Sequence, residues 1–424
     1  MINKIYWNII KKEFFRFLSF CWLVIVYLIV AQNINFLKMA VSESRVMTEA
    51  ITKFAIDLHR CLANSDLYVN DNLFYSPTSL TIALAMTCNG AKGNTAAEVM
   101  KVLHVDLVSS TDLNRSMREL IDTLNATSSK NNKLLTANRL FVQKSLEILK
   151  TYKKGTSEFY DEKVVQVDYI RNAEKARRKI NRWVEKKTND RIKDLIPSGM
   201  LSTATRLVLV NAIYFKSFWL EKFKYHRTFS RSFFVSQHEE IKVKMMHQEA
   251  DFKYFESEDL ACQVLEMPYS GLKMSMVIYL PNEINGLGKL EETIAYKNVQ
   301  KSLYLLDASM AKVEVFLPRF KLTQQLDLSE ILSEMGSEEM FIREKADLSG
   351  ITAEPLFVSQ VVQKTFVMVN EEGTEAGAVT VEFLEKCLTE SQCTFKADHP
   401  FLFLIRHNDS GCILFMGRLM KPVS

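Results

Sequence analysis

The residue types that most often carry catalysis or bind metals do not form an enzymatic pattern in this chain. The seven histidines are scattered, and none has a partner at the spacing of a metal site. His238-Glu239-Glu240 lacks the second histidine of a zinc-protease helix, and no G-x-S-x-G nucleophile motif occurs. Gly286-Leu287-Gly288-Lys289 lacks the spacing and the final Ser or Thr of a phosphate-binding loop. We therefore expect a protein that is not an enzyme and holds no metal or cofactor.

A polar segment between two apolar strands is the stronger candidate for a functional element. It begins with the sequence EEGTEAGAVT at residues 371–380 and ends before the apolar strand within 395–403. The segment contains no proline, is too long for a hairpin, and is too rich in small and β-branched residues for a linker. We interpret it as a loop that can become a β-strand, and we expect the function to reside there.

The elements that must hold this loop are predicted from hydrophobic periodicity. Residues 48–127 have helical patterns, and one helix begins after Ser76, which can cap it, with Pro77 in its first turn. From Leu207 onward β-patterns dominate, and residues 207–215 are almost continuously apolar, as in a strand buried on both faces. This order indicates an α+β fold. Because no linker or repeat interrupts the pattern, residues 48–424 are expected to form a single domain.

The first forty residues differ from the rest of the chain. Four basic residues precede an apolar run from Phe17 to Ala31, which is short for a membrane span and typical of a secretory signal. Residues 1–31 are therefore expected to be a signal peptide, and the protein to be secreted. Two alternatives remain: a signal anchor that keeps the run 17–31 in the membrane, and translation from Met39, which would give a cytoplasmic protein. A buried helix of the fold is a weaker alternative.

Charge and cysteine content restrict the classes of partner. Removing residues 1–31 lowers the formal net charge from +4 to +1, so nothing suggests nucleic-acid binding. The seven cysteines have irregular spacing and no C-x-x-C pair, so we expect mostly free thiols. Three sequons are candidate glycosylation sites if the chain is secreted: Asn114, Asn125 and Asn408.

A predicted helix from Ala173 to Leu195 has one basic side. Its basic residues are Lys175, Arg177, Arg178, Arg182, Lys186 and Lys187. Since Glu174, Glu185 and Asp190 interrupt the positive charge, we interpret this side as a solvated face. Binding of a polyanion is the alternative.

Several separated motifs resemble those of the serpin family. Residues 72–80, NLFYSPTSL, resemble the motif of the second helix in serpins, and residues 181–184, NRWV, resemble the sixth helix. Residues 210–216, VNAIYFK, followed by Trp219, resemble the central-sheet strand, and residues 395–405 are similar to the C-terminal signature. The resemblance extends from about Phe54 to Pro422. The hinge and the C-terminal segment look most like the ovalbumin-like branch.

The resemblance implies the serpin fold, with N-terminal helices, a large mixed central sheet, two further sheets and an exposed reactive loop at about 371–394. It also implies a monomeric suicide inhibitor of serine endopeptidases: the protease cleaves the loop, which inserts into the central sheet and traps the acyl-enzyme. The hinge implied by the resemblance comprises Glu371, Glu372, Gly373, Thr374, Glu375, Ala376, Gly377 and Ala378. Gly373 provides a pivot, and Thr374, Ala376, Ala378 and Thr380 share the inward face of the inserted strand.

The residues implied to control sheet opening are Ser76, Ser79, Asn211, Gln363 and Trp219. Two positions depart from the pattern of inhibitory serpins. Gln363 stands where such members commonly have His, and its amide can donate to Asn211 but cannot take up a proton. Glu382 falls on the inward face of the inserted strand, where a carboxylate is costly to bury, so late insertion is expected to be slower or incomplete.

Family spacing from Gly373 puts the reactive bond at Cys387-Leu388, which suits an elastase-like or chymotrypsin-like protease. Lys386 would suit a trypsin-like protease if the register shifts by one residue. Inhibition of a cysteine protease is a further alternative, because Cys387 carries a thiol. The rival function is that of a non-inhibitory serpin, meaning a carrier, chaperone or storage protein. The hinge chemistry favours the inhibitor.

Overall fold

A computed structural model of the protein describes residues 45–128, 132–374 and 393–422. The chain divides into two compact units, residues 1–47 and 48–424, and only 45–47 of the first unit are described. The expected leader 1–31, the start at Met39, and the loop positions 375–392 lie outside the described residues. These positions include Glu382, Lys386, Cys387 and Leu388. In the described part of the chain, no helix is long and apolar enough to span a membrane.

Helices dominate the N-terminal half of the chain, as the periodicity predicts. Ser76 caps the second helix, since its hydroxyl accepts a hydrogen bond from the Ser79 amide at 3.2 Å, and Pro77 is the first helical residue. This helix is buried along its whole length. The helices are α1 (45–64), α2 (Pro77–Cys88), α3 (Gly93–Val102), α4 (Ser110–Thr127), α5 (Lys150–Tyr160), α6 (Tyr169–Lys187), α7 (Leu287–Thr293), α8 (Tyr296–Ala308) and α9 (Ser329–Glu334).

A nine-stranded sheet in the described residues joins what the resemblance implied as two separate sheets. The join is the long strand β6, which pairs with β5 through its first half, with β9 through its middle and with β7 through its end. The strands are β1 (Leu73–Tyr75), β5 (Thr228–Phe234), β6 (Glu240–Ser257), β7 (Cys262–Pro268), β8 (Met274–Pro281), β9 (Met310–Pro318), β13 (Cys393–Lys396), β14 (Phe401–His407) and β15 (Ile413–Leu419). A turn from Asn408 to Gly411 joins β14 and β15, which pair as an antiparallel hairpin.

The second sheet has six strands in the order β10-β11-β12-β4-β2-β3. They are β2 (Asn132–Gln143), β3 (Val165–Val167), β4 (Leu207–Phe218), β10 (Phe320–Asp327), β11 (Gln360–Asn370) and β12 (Gly373–Thr374). Strands β4 and β11 pair in parallel from Val208–Gln360 to Tyr214–Phe366. We call the line along which they meet the seam. The two strands diverge at its end, and β12 lies between them there.

Helix α6 covers one face of the six-stranded sheet. Its apolar side, with Ile180 and Val184, packs in a buried cluster with Val208 and Val210 of β4 and with Val362 of β11. The run 207–215 is apolar at nearly every position because β4 is buried both under α6 and against the opposite core. Helices first and mixed strands later confirm the α+β class.

Candidate functional site

The two residues of β12, Gly373 and Thr374, already occupy the open end of the seam. Gly373 pairs antiparallel with Phe218 of β4 and with Asn370 of β11, and Thr374 pairs with Ser217 and Val369. The start of the loop is therefore a short strand between two strands that elsewhere pair with each other. This is the location expected for a segment that can extend into the sheet.

Glycine is required at position 373 by its surroundings. Its φ angle is +148°, a conformation that residues with a side chain rarely adopt. A Cβ atom there would lie 2.2 Å from the carbonyl oxygen of Ser217, 2.6 Å from the Cα of Phe218 and 2.8 Å from the amide nitrogen of Trp219. Since all three are backbone atoms of neighbouring residues, the strand would have to move to accept a side chain.

Thr374 shows which face of the inserted strand points into the core. Its side chain is fully buried, and its Oγ1 lies 2.8 Å from the hydroxyl oxygen of Tyr269. Tyr269 in turn stacks on Trp219, with ring centres 4.6 Å apart and planes 7° apart. Because side chains alternate along a strand, even-numbered loop residues in the same register would face this core.

Ionic contacts fix the residues just before β12. Glu371 is 1% exposed, and its Oε1 accepts hydrogen bonds from Thr228 Oγ1 at 2.5 Å and from both Nε, at 2.7 Å, and Nη2 of Arg319. Glu372 pairs with Lys222 Nζ at 2.7 Å. Both carboxylates belong to the expected hinge, and their structural role is to tie its start to β5, to the residue before β10 and to the segment after β4.

Two hydrogen bonds donated by Trp219, one from its indole ring and one from its backbone, hold the turn between β11 and β12. The indole N–H donates to the carbonyl oxygen of Asn370 at 3.0 Å, and the backbone N–H of Trp219 donates to the carbonyl of Glu372 at 2.9 Å. The side chain of Asn370 accepts from the backbone N–H of Glu372 at 3.1 Å and of Gly373 at 3.3 Å. The role of Asn370 was not predicted from the sequence. Asn is nevertheless a common turn residue, because its side chain can accept a hydrogen bond from the backbone N–H two residues later.

A buried polar network crosses the middle of the seam. Gln363 of β11 donates from Nε2 to Asn211 Oδ1 of β4 at 2.5 Å and to the carbonyl oxygen of Ser76 at 3.1 Å. Its Oε1 accepts from the backbone N–H of Ser76 at 3.0 Å. Asn211 also donates to Ser79 Oγ at 2.6 Å, and both Ser79 and Asn211 donate to Asn138 Oδ1 of β2.

Separating β4 from β11 at this point breaks the direct hydrogen bond between Asn211 and Gln363. The structure thus brings together Ser76, Ser79, Asn211 and Gln363, whereas Trp219 lies apart from them at the open end of the seam. Asn138 completes the network and was missed, because a single Asn in an otherwise ordinary strand carries no sequence signal.

The three sequons differ in accessibility. Asn114 is 7% exposed; its amide donates to Asn89 Oδ1 at 2.8 Å, and its Oδ1 accepts from the Tyr160 hydroxyl at 2.6 Å. A glycan at Asn114 is therefore incompatible with this fold. The amide of Asn408 donates to the carbonyl oxygen of Leu272 at 2.8 Å, whereas Asn125 is exposed. Asn125 is the accessible candidate among the three.

The described cysteines are free thiols, as expected from their spacing. Burial raises the pKa of Cys88 and of Cys412 to about 11, and that of Cys262 to about 12. These three thiols are therefore protonated and unreactive at neutral pH. They contribute to packing of the protein interior and do not form a redox site.

Comparisons with known proteins agree with this geometry. The family model described as "Serpin (serine protease inhibitor)" matches residues 49–422. The chain is 40% identical over 384 residues to the leukocyte elastase inhibitor of Homo sapiens, covering 89% of this chain and 99% of that protein. It is 39% identical over 378 residues to serpin B6 of Macaca fascicularis, covering 89% and 100% respectively. The crystal structure of uncleaved ovalbumin superposes with a TM-score of 0.79 at 30% identity, covering 89% of this chain and all of that one.

Proposed function

Because the chain belongs to the serpin (serine protease inhibitor) family, we propose that it inhibits serine endopeptidases as a suicide substrate whose cleaved loop fills the seam. The observation that carries the mechanism is the register of β12. Thr374 pairs with Ser217 and Val369, so each further loop residue would pair one residue earlier on both strands. This register agrees with the existing pairing of β4 with β11, in which Gln363 lies opposite Asn211.

Extending the register names the partners of the inserted loop. Thr380 would lie between Asn211 and Gln363, where its hydroxyl can replace the hydrogen bond that insertion breaks. Glu382 would lie between Leu209 and Val361, both fully buried. The inward-facing residues between Thr374 and Thr380 are Ala376 and Ala378, which are small and uncharged. Glu382 is therefore the position at which we expect insertion to be costly.

The length of the seam supports cleavage at Cys387-Leu388. Strand β4 begins at Leu207, which would pair with residue 384 of the inserted loop. Cys387 would then lie three residues beyond the sheet, so the inserted loop would fill the whole length of the seam. Cleavage at Phe383 would instead leave the acyl-enzyme before the end of the seam.

The chemical steps follow from this geometry. The protease serine attacks the carbonyl carbon of Cys387, the peptide bond to Leu388 breaks, and the new amino terminus departs with a proton while Cys387 stays esterified. Insertion replaces one parallel ladder between β4 and β11 with two antiparallel ladders, which are more stable per residue. The inserted segment from Thr374 to Cys387 would be about 40 Å long, and the protease would be carried to its far end. Displacing the protease triad by about 1 Å suffices to slow hydrolysis of the ester roughly a hundredfold.

We propose an elastase-like or chymotrypsin-like target. Cys387 is uncharged and of medium size, and a relative of this chain is named an elastase inhibitor. A trypsin-like target through Lys386 and a cysteine protease remain alternatives. For localisation, secretion after removal of residues 1–31 remains the proposal, with a signal anchor and a cytoplasmic form from Met39 as alternatives. N-terminal sequencing of the native protein distinguishes the three forms.

The test is incubation of the protein with elastase-like, chymotrypsin-like and trypsin-like proteases. We expect an SDS-stable complex with the elastase-like or the chymotrypsin-like protease. We also expect release of a C-terminal peptide whose measured mass shows that it begins at Leu388. Thr374→Arg is the matched control, because a long charged side chain cannot enter the buried position beside Tyr269; this variant should be cleaved without a complex. Catalytic cleavage of the unaltered chain by every protease, with no complex, would contradict the proposal.

A further inference from the structure

A pocket lies at the far end of the seam, opposite the end that β12 occupies. Its volume is about 460 Å³, within the range of sites that bind small organic molecules. One wall is the segment that precedes β4, with Met200 and Thr205, and the other is formed by residues 357–360 at the start of β11. Helix α9 and Phe341 complete the lining. We call this cavity the seam pocket.

Hydrogen bonds hold the two walls of the seam pocket together. The backbone N–H of Ser359 donates to the carbonyl oxygen of Leu207 at 2.8 Å, and the backbone N–H of Arg206 donates to Ser359 Oγ at 2.9 Å. Gln360 Nε2 donates to the carbonyl oxygen of Met200 at 3.3 Å. Because these bonds cross from the β4 side to the β11 side, the pocket has this shape only while the two strands are adjacent.

The apolar part of the seam pocket suits an aromatic ligand. Two aromatic rings and a thioether line it, those of Phe341, Phe357 and Met200. All three residues are only half-buried, so part of their apolar surface remains uncovered by the protein. Aromatic rings and methionine sulfur make favourable contacts with a further ring. A ligand with a flat ring would therefore cover apolar surface that the protein leaves open.

The polar part of the seam pocket has two acceptors that lack a partner. Among the lining residues that the structure describes, Glu330 alone is charged, and no described cation pairs with it. Gln360 Oε1 is buried and accepts no hydrogen bond from any described residue, although buried amide oxygens normally accept one. A ligand with a positive charge and N–H donors would complement both groups.

We propose that the seam pocket binds an arylalkylamine, a molecule with an aromatic ring and an ammonium group. The ring packs against Phe341 and Phe357. The ammonium has three N–H donors, which suit the Glu330 carboxylate and Gln360 Oε1. An anion of the same shape is disfavoured by the charge of Glu330, and an uncharged hydrocarbon leaves Gln360 Oε1 without a donor.

Ligand binding is linked to the state of the seam, a step that rests on the proposed function. In the register of β12, Leu384 of the inserted loop would lie between Leu207 and Ser359. The walls of the seam pocket would then move apart by about 5 Å, one strand spacing, and the hydrogen bonds between them would break. The ligand therefore binds the intact form more tightly than the cleaved, inserted form. By the same difference in affinity, it opposes insertion.

Tryptamine, which has an indole ring and an ammonium group, is the probe. Titration calorimetry on the intact full chain should show saturable binding, and indole-3-acetate, with the same ring and a negative charge, should bind about tenfold more weakly.

Glu330→Gln should raise the Kd for tryptamine about fivefold, because it removes the charge partner of the ammonium. Glu334→Gln is the matched control, since Glu334 is one turn further along α9 and does not line the seam pocket. It should change Kd less than about twofold. Thermal unfolding checks that both variants fold.

Three outcomes would overturn the assignment of the seam pocket. These are absence of saturable tryptamine binding to the intact chain, equal effects of Glu330→Gln and Glu334→Gln, and tighter binding of indole-3-acetate than of tryptamine.

The link to the seam is tested by the same titration on the loop-cleaved protein, for which the Kd for tryptamine should be about tenfold higher. If the protein forms the SDS-stable complex with a protease and both forms bind tryptamine equally, the link is wrong. Absence of that complex contradicts the proposed function, whereas absence of tryptamine binding to the intact chain contradicts the pocket, so the two failures are distinguishable.

Discussion

The hydroxyl oxygens of Thr374 and Tyr269 lie 2.8 Å apart, beneath the sheet that the loop is to enter. Tyr269 is fully buried and stacked against Trp219, so this contact joins the first inserted side chain to the aromatic core. Insertion has therefore begun before any protease arrives. Its direction is set by a single register, and the following predictions depend on that register.

Gly373→Ala should convert much of the inhibitor into a substrate. The added Cβ meets three backbone atoms within 3 Å, so the hinge must leave the seam and insertion must start later. A barrier raised by about 1.4 kcal/mol slows insertion about tenfold, which lets hydrolysis compete. The measurement is the number of inhibitor molecules consumed per protease molecule inhibited.

Gly199→Ala is the control for this substitution. Gly199 also has a positive φ, +85°, but a Cβ there would have no atom within 4 Å. It should cost about 1 kcal/mol of stability and leave the stoichiometry unchanged. An unchanged stoichiometry for Gly373→Ala as well would show that the hinge need not occupy the seam.

Gln363→Leu should destabilise the native protein. Leucine removes three hydrogen bonds and leaves Asn211 Oδ1 and the backbone of Ser76 without these partners in a buried place. We expect the free energy of unfolding to fall by about 3 kcal/mol, measured by denaturant titration. Gln363→His is the comparison variant, because it preserves a donor.

The same position predicts how opening of the seam responds to pH. Gln363 does not titrate, so the seam of this protein should open at a rate independent of pH between about 5.5 and 7.5. Gln363→His should introduce a pH dependence in that range. Hydrogen exchange of the β4 and β11 amides, corrected for intrinsic exchange, measures it. A pH-dependent opening in the unaltered protein would contradict this assignment.

Glu382→Gln should make inhibition more efficient. In the extended register this side chain enters between Leu209 and Val361, and an amide avoids burying a charge there, which costs roughly 2 kcal/mol or more. Fewer inhibitor molecules should then be consumed per protease. Glu375→Gln changes the same charge at an odd position, on the opposite face of the strand, and should have little effect. Equal effects of the two variants would disprove the register.

Arg319→Ala should weaken the anchor of the hinge. Glu371 is buried, and without Arg319 its carboxylate keeps only Thr228 as a side-chain partner. We expect a loss of about 2–3 kcal/mol, below the value for a fully buried pair because Arg319 is partly exposed. Lys222→Ala, which removes the partner of Glu372, should cost less than about 1 kcal/mol because Lys222 is more exposed. Denaturant titration measures the loss of stability in each variant. Equal losses would contradict the assignment of the Glu371–Arg319 pair as the main anchor of the hinge.

Local patterns in the sequence predicted local structure well. The cap at Ser76 and the doubly buried strand around Asn211 each follow from residue type and spacing over a few positions, whereas the hinge glycine was implied by the family resemblance. The contacts that hold the hinge could not be predicted in this way. Arg319 and Thr228 lie 52 and 143 residues from Glu371 in the sequence, and only the fold brings them together.

One expectation failed because the sequence does not show burial. Asn114 has a glycosylation sequon, but the sequence does not reveal that Tyr160 and Asn89 bind its side chain in the core. Linear spacing describes which residues are near in the chain, whereas burial and helical phase decide what they contact.

The most direct test of the central claim is the crystal structure of the loop-cleaved protein. The quantity to measure is the separation of the Asn211 and Gln363 Cα atoms, which pair directly in the intact chain. With an inserted strand between them they should lie about 10 Å apart, two strand spacings, with Thr380 between them. Direct pairing of Asn211 with Gln363 after cleavage at Cys387-Leu388, at about 5 Å, would contradict insertion along the seam.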